Sequence, residues 1–161
     1  MVEIPSGVNI HVDGHTVLIK GPAGEVRKTF HKEVEIKLDG AQIQVIARTK
    51  ALQGTSQSVL ESMVRGAKDG YKKNMKLLYA HFPISIEIKG KDIMIKNFLG
   101  EKMARKAKLI GSTKVEAKGQ SVTISGPDKE AVGQTLANMK AAMKIKDKDG
   151  RVFQDGIFNA E

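Results

Sequence analysis

The chain has 161 residues, which is enough for one ordinary domain or two small ones. Hydrophobic residues make up 40% of it and charged residues 28%, a balance that supports a buried core and excludes a disordered chain. A net charge of +9 and a pI near 9.7 indicate a polyanionic partner, although basic proteins also serve other functions.

The positive charge is spread over the whole chain and is carried mostly by lysine. Residues 1–80 have 12 basic and 8 acidic groups, and residues 81–161 have 15 and 10. Only five of the 27 basic residues are arginine. Lysine is a mobile point charge suited to phosphate, whereas arginine favours bidentate contacts to bases. This composition indicates binding mainly to the phosphate backbone of a nucleic acid.

Several protein classes are excluded by what the sequence lacks. It has no cysteine, which excludes disulfides and thiolate metal sites. The first residues lack the basic and apolar segments of a secretory signal, and no apolar run is long enough to cross a membrane. We therefore expect a soluble, cytoplasmic protein.

The first half of the chain predicts two hairpins followed by a helix. Apolar and polar residues alternate before Asp13-Gly14, which is a hairpin turn signal. Residues 21–24 break the next strand, and residues 34–45 repeat the alternation around an Asp-Gly turn. Apolar residues at helical spacing follow, with Thr49 as the predicted N-cap.

One more strand is predicted before the middle of the chain. Residues 75–79 look like the last strand of the first unit. His81-Phe82-Pro83 then predicts a hinge, because proline cannot donate a hydrogen bond into a sheet ladder.

A second copy of the same pattern starts at residue 84. Residues 8–25 and 84–101 align at an offset of 76, and residues 40–45 align with 119–124 at an offset of 79. The second copy has therefore gained three residues between these blocks. The identical pairs in the first block are Ile10/Ile86, Gly14/Gly90, Ile19/Ile95, Lys20/Lys96, Gly24/Gly100 and Glu25/Glu101.

The helix of the second copy is predicted to open at Gly126-Pro127-Asp128, with proline at the first helical position. Its predicted apolar stripe consists of Val132, Leu136, Met139 and Met143.

Together these elements predict an α+β fold of two tandem copies, each a small antiparallel β-sheet with one helix packed on its apolar face. The first copy is assigned to residues 1–82. The second copy, with a basic C-terminal arm, is assigned to residues 83–161. Units of this size bury little core, so we expect the two to touch or to gain rigidity from a partner.

Signatures of an enzyme are missing. There is no Gly-x-Ser-x-Gly elbow, and without cysteine there is no thiol nucleophile. The segment 125–129 resembles a phosphate loop superficially, but it lacks the Gly-Lys-Ser/Thr ending and is better interpreted as a helix start. His11 and His15 are separated by a turn, and the other two histidines are distant. No metal site, cofactor or catalytic residue is predicted.

The stretch 97–109 is the first candidate RNA-binding segment. It holds four cations within seven residues, which predicts a strip that binds phosphates. The alternative is a solvated strand whose lysines protect a sheet edge. The matching stretch of the first copy also carries Glu33 and Glu35, which favours the second copy as the RNA-facing unit. The four cations are Lys102, Arg105, Lys106 and Lys108.

The tail from residue 144 to residue 158 is the second candidate segment. Basic residues recur there together with two apolar-aromatic pairs, Val152-Phe153 and Ile157-Phe158. This pattern is typical of an extended basic arm that docks on RNA. The alternative is a closing strand of the second sheet. Both interpretations hold if Phe153 or Phe158 packs while the lysines face outward.

These residues carry a resemblance to a known family. Lys96-Asn97-Phe98-Leu99-Gly100-Glu101-Lys102, residues 82–83, 125–128 and 131–135, and the ending Arg151-x-Phe153-x-Asp155-Gly156 are similar to the universal large-subunit ribosomal protein six, in its archaeal and eukaryotic branch. The similarity covers essentially the whole chain, including the duplication. The ending is its most specific element.

The resemblance implies a structural constituent of the large ribosomal subunit, located near the factor-binding side and the stalk base. The second unit and tail would bind ribosomal RNA close to the sarcin–ricin loop, and the first unit would face neighbouring ribosomal proteins. Phe153 would pack, and Asp155-Gly156 would shape a turn. The implied RNA-binding residues are Lys96, Asn97, Lys102, Arg105, Lys106, Lys108, Lys144, Lys146, Lys148 and Arg151.

An alternative function is a free-standing RNA-binding or RNA-chaperone module built from the same repeated unit. Sedimentation distinguishes the two, because a ribosomal protein travels stoichiometrically with large subunits.

Overall fold

A computed structural model describes residues 1–160, so the final residue of the predicted second repeat lies outside it. The chain divides into two compact units. The first consists of Met1–Tyr71 together with Gly126–Lys129, and the second of Lys72–Ser125 together with the described residues from Glu130 onward. Each unit contains both antiparallel β-sheet and α-helix, which confirms the predicted α+β fold.

The strands of the first unit form two antiparallel three-stranded sheets, in the orders β2-β3-β4 and β1-β6-β5. One helix, α1, packs against strands of both. The elements are β1 (Val2–Glu3), β2 (Asn9–Asp13), β3 (Thr16–Gly21), β4 (Gly24–Thr29), β5 (Val34–Asp39), β6 (Gln42–Ala47) and α1 (Lys50–Asp69).

The hairpins and the helix of the first unit form where the sequence predicts them. Gly14 and Gly40 both have a φ of 58°, the left-handed conformation that their Asp-Gly turns require. Val17 and Ile19 are fully buried on the inner face of β3. At the start of α1, the Thr49 hydroxyl accepts a 3.2 Å hydrogen bond from the Leu52 amide, which confirms the predicted N-cap.

The second unit contains a three-stranded sheet in the order β10-β9-β8 and a four-stranded sheet in the order β11-β12-β7-β13. A 3-10 turn, Phe98–Gly100, lies between β9 and β10. Apart from the end residues Tyr71, Gly126 and Lys129, which belong to the first unit, the elements of the second unit are β7 (Tyr71–Leu78), β8 (Ser85–Lys89), β9 (Asp92–Lys96), β10 (Arg105–Lys108), β11 (Lys114–Lys118), β12 (Ser121–Gly126), α2 (Lys129–Ala142) and β13 (Gly156–Asn159).

The strand predicted at residues 75–79 is present as β7, but its assignment to the first repeat was wrong. β7 pairs antiparallel with β13, with Leu78 opposite Gly156 and Met75 opposite Asn159. Met75 and Leu77 are 2% and 1% exposed, so the strand contributes to the core of the second unit. Local alternation predicts a strand but carries no information about which sheet it joins.

The second helix starts later than predicted. α2 begins at Lys129, so Pro127 precedes the helix instead of occupying its first position. Its buried face includes Val132 and Met139 as predicted, but Thr135 is fully buried where Leu136 was expected. The Thr135 hydroxyl accepts a 3.1 Å hydrogen bond from the Ile110 amide, which satisfies the buried oxygen.

The three residues gained by the second copy lie in the connection between β9 and β10. In the first unit, Gly21 pairs with Gly24 around a two-residue turn. In the second unit the eight residues 97–104 lie between Lys96 and Arg105, where the first unit has the five residues 21–25 between Lys20 and Val26. Ile19 pairs with Val26 and Ile95 pairs with Arg105, so the offset is 76 before this loop and 79 after it. Arg105 therefore occupies the position of the buried Val26.

Candidate RNA-binding surface

Two of the predicted lysines lie side by side on the solvent face of β10. Ala107, between them, is 3% exposed and points into the core. Lys106 and Lys108 therefore project from the opposite face and are exposed. Residues two apart on a strand are separated by roughly 7 Å. The two side chains therefore leave the strand at neighbouring outward positions.

The same face of sheet β10-β9-β8 carries two further lysines, and we call it the lysine face. Lys106 lies opposite Met94, which lies opposite Glu87. The next row places Lys108 opposite Asp92 and Asp92 opposite Lys89. The lysine face thus holds four cations and two anions: Lys89, Lys96, Lys106 and Lys108 with Glu87 and Asp92.

The equivalent face of the first unit is electrically balanced. It lies on sheet β2-β3-β4. Each of Thr16, Leu18 and Lys20 in the central strand pairs with one residue of β2 and one of β4, which gives three rows of three residues. Two cations and two anions share it: Lys20 and Arg27 with Asp13 and Glu25. The two copies of one fold therefore differ in charge on the same surface, and the excess of lysine lies on the second copy.

Lys96 and Asn97 are engaged within the protein. The Lys96 ammonium forms an ion pair with Glu87, whose carboxylate also lies 3.6 Å from the ammonium of Lys89. The hydrogen bond from Lys96 is the main reason that the pKa of the Glu87 carboxyl is lowered, against an opposing effect of desolvation. Asn97 has a left-handed backbone, with φ of 60°, and its side-chain amide donates to the Pro83 carbonyl at 3.0 Å.

Arg105 makes most of its contacts inside the second unit. Its Nε and Nη2 donate to the two carboxylate oxygens of Glu101 at 2.8 and 2.6 Å. Its Nη1 donates to the carbonyls of Ala142 and Lys144 at 2.9 and 3.0 Å. The guanidinium carbon lies 4.5 Å from the centroid of the buried Phe98 ring. Four of its five N–H donors are thus used by the protein.

The Arg105–Glu101 pair also shifts the ionisation of both partners. The hydrogen bond from Arg105 lowers the pKa of the Glu101 carboxyl, and partial desolvation opposes this shift. The same hydrogen bond raises the pKa of Arg105. Both groups remain charged at neutral pH, so the loop before β10 is fixed by a charged, bidentate contact.

That loop presents Lys102 to solvent. Lys102 is exposed, and the contacts within residues 1–160 give it no hydrogen-bond or ion-pair partner. Met103 beside it is 85% exposed. Leu99 and Gly100 have φ values of 52° and 75°, so the chain folds tightly before this exposed tip.

The cations of the tail are all exposed but differ in their partners. Lys144 and Lys146 lie on the surface. Lys148 places its ammonium 4.8 Å from the centroid of the Phe153 ring. Arg151 is 92% exposed, and its Nε lies 3.3 Å from Asp149 Oδ1. An exposed pair of this kind contributes little to stability and leaves the arginine accessible.

The end of the tail forms a closing strand. β13 pairs with β7, so the structure supports the alternative of a closing strand for this segment. The implied turn at Asp155-Gly156 is not formed, because Gly156 is the first residue of the extended β13. The Phe153 ring stacks on His81, with centroids 4.9 Å apart.

Asp155 has a buried side chain, although the resemblance implied only that Asp155-Gly156 would shape a turn. Its side chain is fully buried, and Oδ1 accepts from the Ala80 amide at 3.4 Å and lies 3.3 Å from His81 Nδ1. These two partners, Ala80 and His81, are 75 and 74 residues away along the chain. For Arg105, by contrast, a signal was available: the offset of 79 places it at the inward position of Val26.

No group of three or more potential metal ligands occurs among residues 1–160. His15 instead makes a 3.0 Å hydrogen bond through Nδ1 with the Val34 carbonyl. No helix in that range is long and apolar enough to cross a membrane.

Comparisons with known proteins agree with the internal repeat. A family model described as ribosomal protein L6 matches the chain twice, at residues 4–70 and 82–156. A large ribosomal subunit protein uL6 from Methanocella arvoryzae is 42% identical over 98% of this chain and 93% of its own length. Proteins of the same name from Methanobrevibacter smithii and Aeropyrum pernix are 42% and 40% identical, each over 98% of this chain and over 92% and 90% of their own lengths.

Proposed function

The chain belongs to the ribosomal protein L6 family of large-subunit proteins, and on that premise we propose that its second unit binds large-subunit ribosomal RNA. The family consists of ribosomal proteins, not enzymes. The observation that carries the proposal is the lysine face: Lys106 and Lys108 are exposed there, whereas the equivalent face of the first unit is balanced in charge.

Binding proceeds through phosphates. Lys106 and Lys108 project side by side from a rigid strand, so two ammonium groups meet the RNA backbone without ordering a loop. Lysine contacts release condensed counterions, which supplies affinity without reading base sequence. Lys102 on the loop before β10 and the exposed lysines of the tail, Lys144, Lys146 and Lys148, add further cations to the surface of the second unit.

Three of the implied RNA-binding residues have a different task in this proposal. Lys96 neutralises Glu87, Asn97 shapes the loop, and Arg105 fastens that loop to the chain after α2. They position Lys102 and β10 for RNA without requiring direct phosphate contact. Arg151, which is almost fully exposed, remains a direct contact.

We place the second unit near the sarcin–ricin region and the first near ribosomal proteins of the stalk base, within the cytoplasmic ribosome. Family membership supports the large subunit as the location, and the lysine face supports RNA as the neighbour of the second unit. The balanced surface of sheet β2-β3-β4 supports proteins as the neighbours of the first unit, because it lacks the charge excess that a phosphate backbone attracts. The proposed function needs no cofactor and no small-molecule substrate.

The test replaces Lys102, Lys106 and Lys108 with Gln in the full chain and measures binding to large-subunit ribosomal RNA over a range of salt concentrations. The slope of log affinity against log salt should fall by nearly one for each lysine that no longer binds a phosphate. A matched control replaces three exposed first-unit lysines, Lys32, Lys50 and Lys68, and removes the same charge. An equal effect of both triple variants, or no effect of the first, would contradict the proposal.

Sedimentation separates the ribosomal role from that of a free-standing RNA-binding or RNA-chaperone module. We expect the tagged chain to migrate with large subunits at one copy per particle. Migration in light fractions would favour the module.

A further inference from the structure

An apolar groove of about 600 Å³ lies between the end of α2 and β13, within the second unit. Phe158 lines it and is 46% exposed, and Leu78 lines it and is 41% exposed. Large apolar side chains left open together mark a binding surface more often than isolated ones do. The remaining apolar lining consists of Met143, Ile145, Phe153 and Ile157.

Two cations stand at this groove, and within residues 1–160 neither forms a direct ion pair with a carboxylate, since Lys148 acts on Glu101 only at longer range. Lys140 lines it and donates to the neutral Asn159 side-chain oxygen at 3.2 Å. Lys148 sits over the ring of Phe153, itself a lining residue. Asp155 is the single acidic lining residue, and its side chain is fully buried and turned toward Ala80 and His81.

A half-exposed aromatic ring flanked by cations suits a ligand that has a flat apolar face and a negative charge beside it. A nucleotide has both. In a paired duplex the faces of the bases are stacked on each other, so only an unpaired base can present its face to a side chain. Stacking on aromatic residues combined with lysine contacts to the backbone is the usual way in which proteins hold single-stranded nucleic acid.

We propose that this groove receives one unpaired nucleobase of the bound RNA, stacked on Phe158, while Lys140 and Lys148 contact the flanking phosphates. The inference rests on the proposed RNA-binding function and adds a preference for RNA with a bulged or looped-out nucleotide. An apolar side chain from another protein is the competing occupant. The positive charge at the groove favours the nucleotide, since a purely apolar partner gains nothing from two adjacent cations.

The experiment uses two short RNA hairpins that differ only in one bulged 2-aminopurine, a base whose fluorescence falls when it stacks. The full chain is titrated with each at low ionic strength. We expect the bulged hairpin to bind about tenfold more tightly and its fluorescence to be quenched on binding. This readout uses the unmodified protein, so it does not depend on whether any variant folds.

Variants then locate the effect. Phe158→Leu keeps an apolar side chain but removes the ring, and it should abolish both the quenching and the preference for the bulge. Phe158→Tyr keeps the ring and should retain both. Phe82→Leu is the matched control, because Phe82 is also 46% exposed but does not line the groove. Loss of the preference in the Phe82 variant as well would overturn the assignment to Phe158.

The outcomes distinguish this inference from the proposed function. Equal binding of both hairpins, with affinity that still depends on Lys102, Lys106 and Lys108, overturns the groove and leaves the RNA-binding function intact. No binding of either hairpin or of large-subunit RNA contradicts both. A photo-crosslinking amino acid at Leu78, which lines the groove and is 41% exposed, reports on the assembled large subunit. A crosslink to RNA supports the inference, and a crosslink to a ribosomal protein overturns it.

Discussion

Arg105 holds Glu101 through two parallel hydrogen bonds, with Nε 2.8 Å from one carboxylate oxygen and Nη2 2.6 Å from the other. The other end of the same guanidinium binds the carbonyls of Ala142 and Lys144. One side chain therefore links the loop before β10, the strand itself and the chain that leaves α2. In the first unit the equivalent position is Val26, which contributes only apolar packing.

Replacing Arg105 with Lys should destabilise the second unit by about 2 kcal/mol, because an ammonium cannot reproduce the fork that binds Glu101 and both carbonyls. Chemical denaturation measures the change in the free energy of unfolding. The salt slope of RNA binding should stay the same, since the guanidinium is occupied by protein. Lys106→Ala is the control on the adjacent residue, and its free energy of unfolding should change by no more than about 0.5 kcal/mol.

Stability should fall on acidification partly through Glu101. Its pKa in the folded protein is lowered from 4.5, chiefly by the hydrogen bond from Arg105. The carboxylate therefore contributes stability that is present above pH 4.5 and is lost as the pH falls through the folded-state pKa. The free energies of unfolding of the wild type and of Glu101→Gln are measured at about pH 7 and about pH 3. The difference between the two proteins should be smaller at the lower pH.

The matched control for that measurement is Glu25→Gln. Glu25 is aligned with Glu101 in the sequence repeat and pairs with Lys20 at 3.3 Å, but both side chains are more than half exposed. Its replacement should have little effect at either pH. A pH-independent gap for Glu101→Gln would show that the carboxylate charge does not stabilise the fold.

Asp155→Ala should lower the free energy of unfolding by about 1–3 kcal/mol, because it removes the acceptor of the Ala80 amide and leaves space beside His81. Asp155→Asn keeps an oxygen acceptor and the side-chain volume, so its cost should be smaller. Thermal or chemical unfolding compares the two with Asp149→Ala, which removes an exposed carboxylate from the same tail. If the buried and exposed positions cost the same, the contact to Ala80 does not stabilise the unit.

Two glycine-to-alanine substitutions in the first unit should change its stability in opposite directions. A Cβ on Gly21 would lie 2.3 Å from the Ala67 carbonyl oxygen, which already accepts from the Ala23 amide at 2.9 Å. Gly21→Ala should therefore destabilise by about 1–3 kcal/mol. Gly54 lies inside α1 with no neighbour within 4 Å of an added Cβ, so Gly54→Ala should stabilise by about 0.5–1 kcal/mol. Unfolding midpoints of both variants check the signs.

Much of this fold could be predicted because its signals are local. Asp-Gly turns, strict alternation and the Thr49 cap each determine the conformation of a few neighbouring residues, and the repeat of the hairpin pattern in the second copy supports the same interpretation. The start of α2 was placed too early because a proline before a helix and a proline in its first turn look alike in sequence. Thr135 was missed on the buried face, since its partner is a backbone amide that no side-chain pattern reveals.

The features that could not be predicted depend on contacts between distant parts of the chain. The sheet to which β7 belongs is set by its pairing with β13, and the burial of Asp155 is set by Ala80 and His81. In the candidate site, a run of cations does not distinguish Lys106, which faces solvent, from Arg105, which is bound within the unit. Strand periodicity alone separates them only after the register of β10 is known, and the one available sequence signal was the repeat offset of 79, which aligns Arg105 with Val26.

The pairing of β7 with β13 has a consequence for the order of folding. During translation, β7 leaves the ribosome long before the strand that completes its sheet, since the chain between Leu78 and Gly156 must be made first. The first unit, rich in neighbouring hairpins, closes short loops, whereas the second must close a long one before its sheet is whole. A nascent chain that stalls before β13 leaves an unpaired edge on β7. Such an edge either binds a chaperone or pairs with another chain and aggregates.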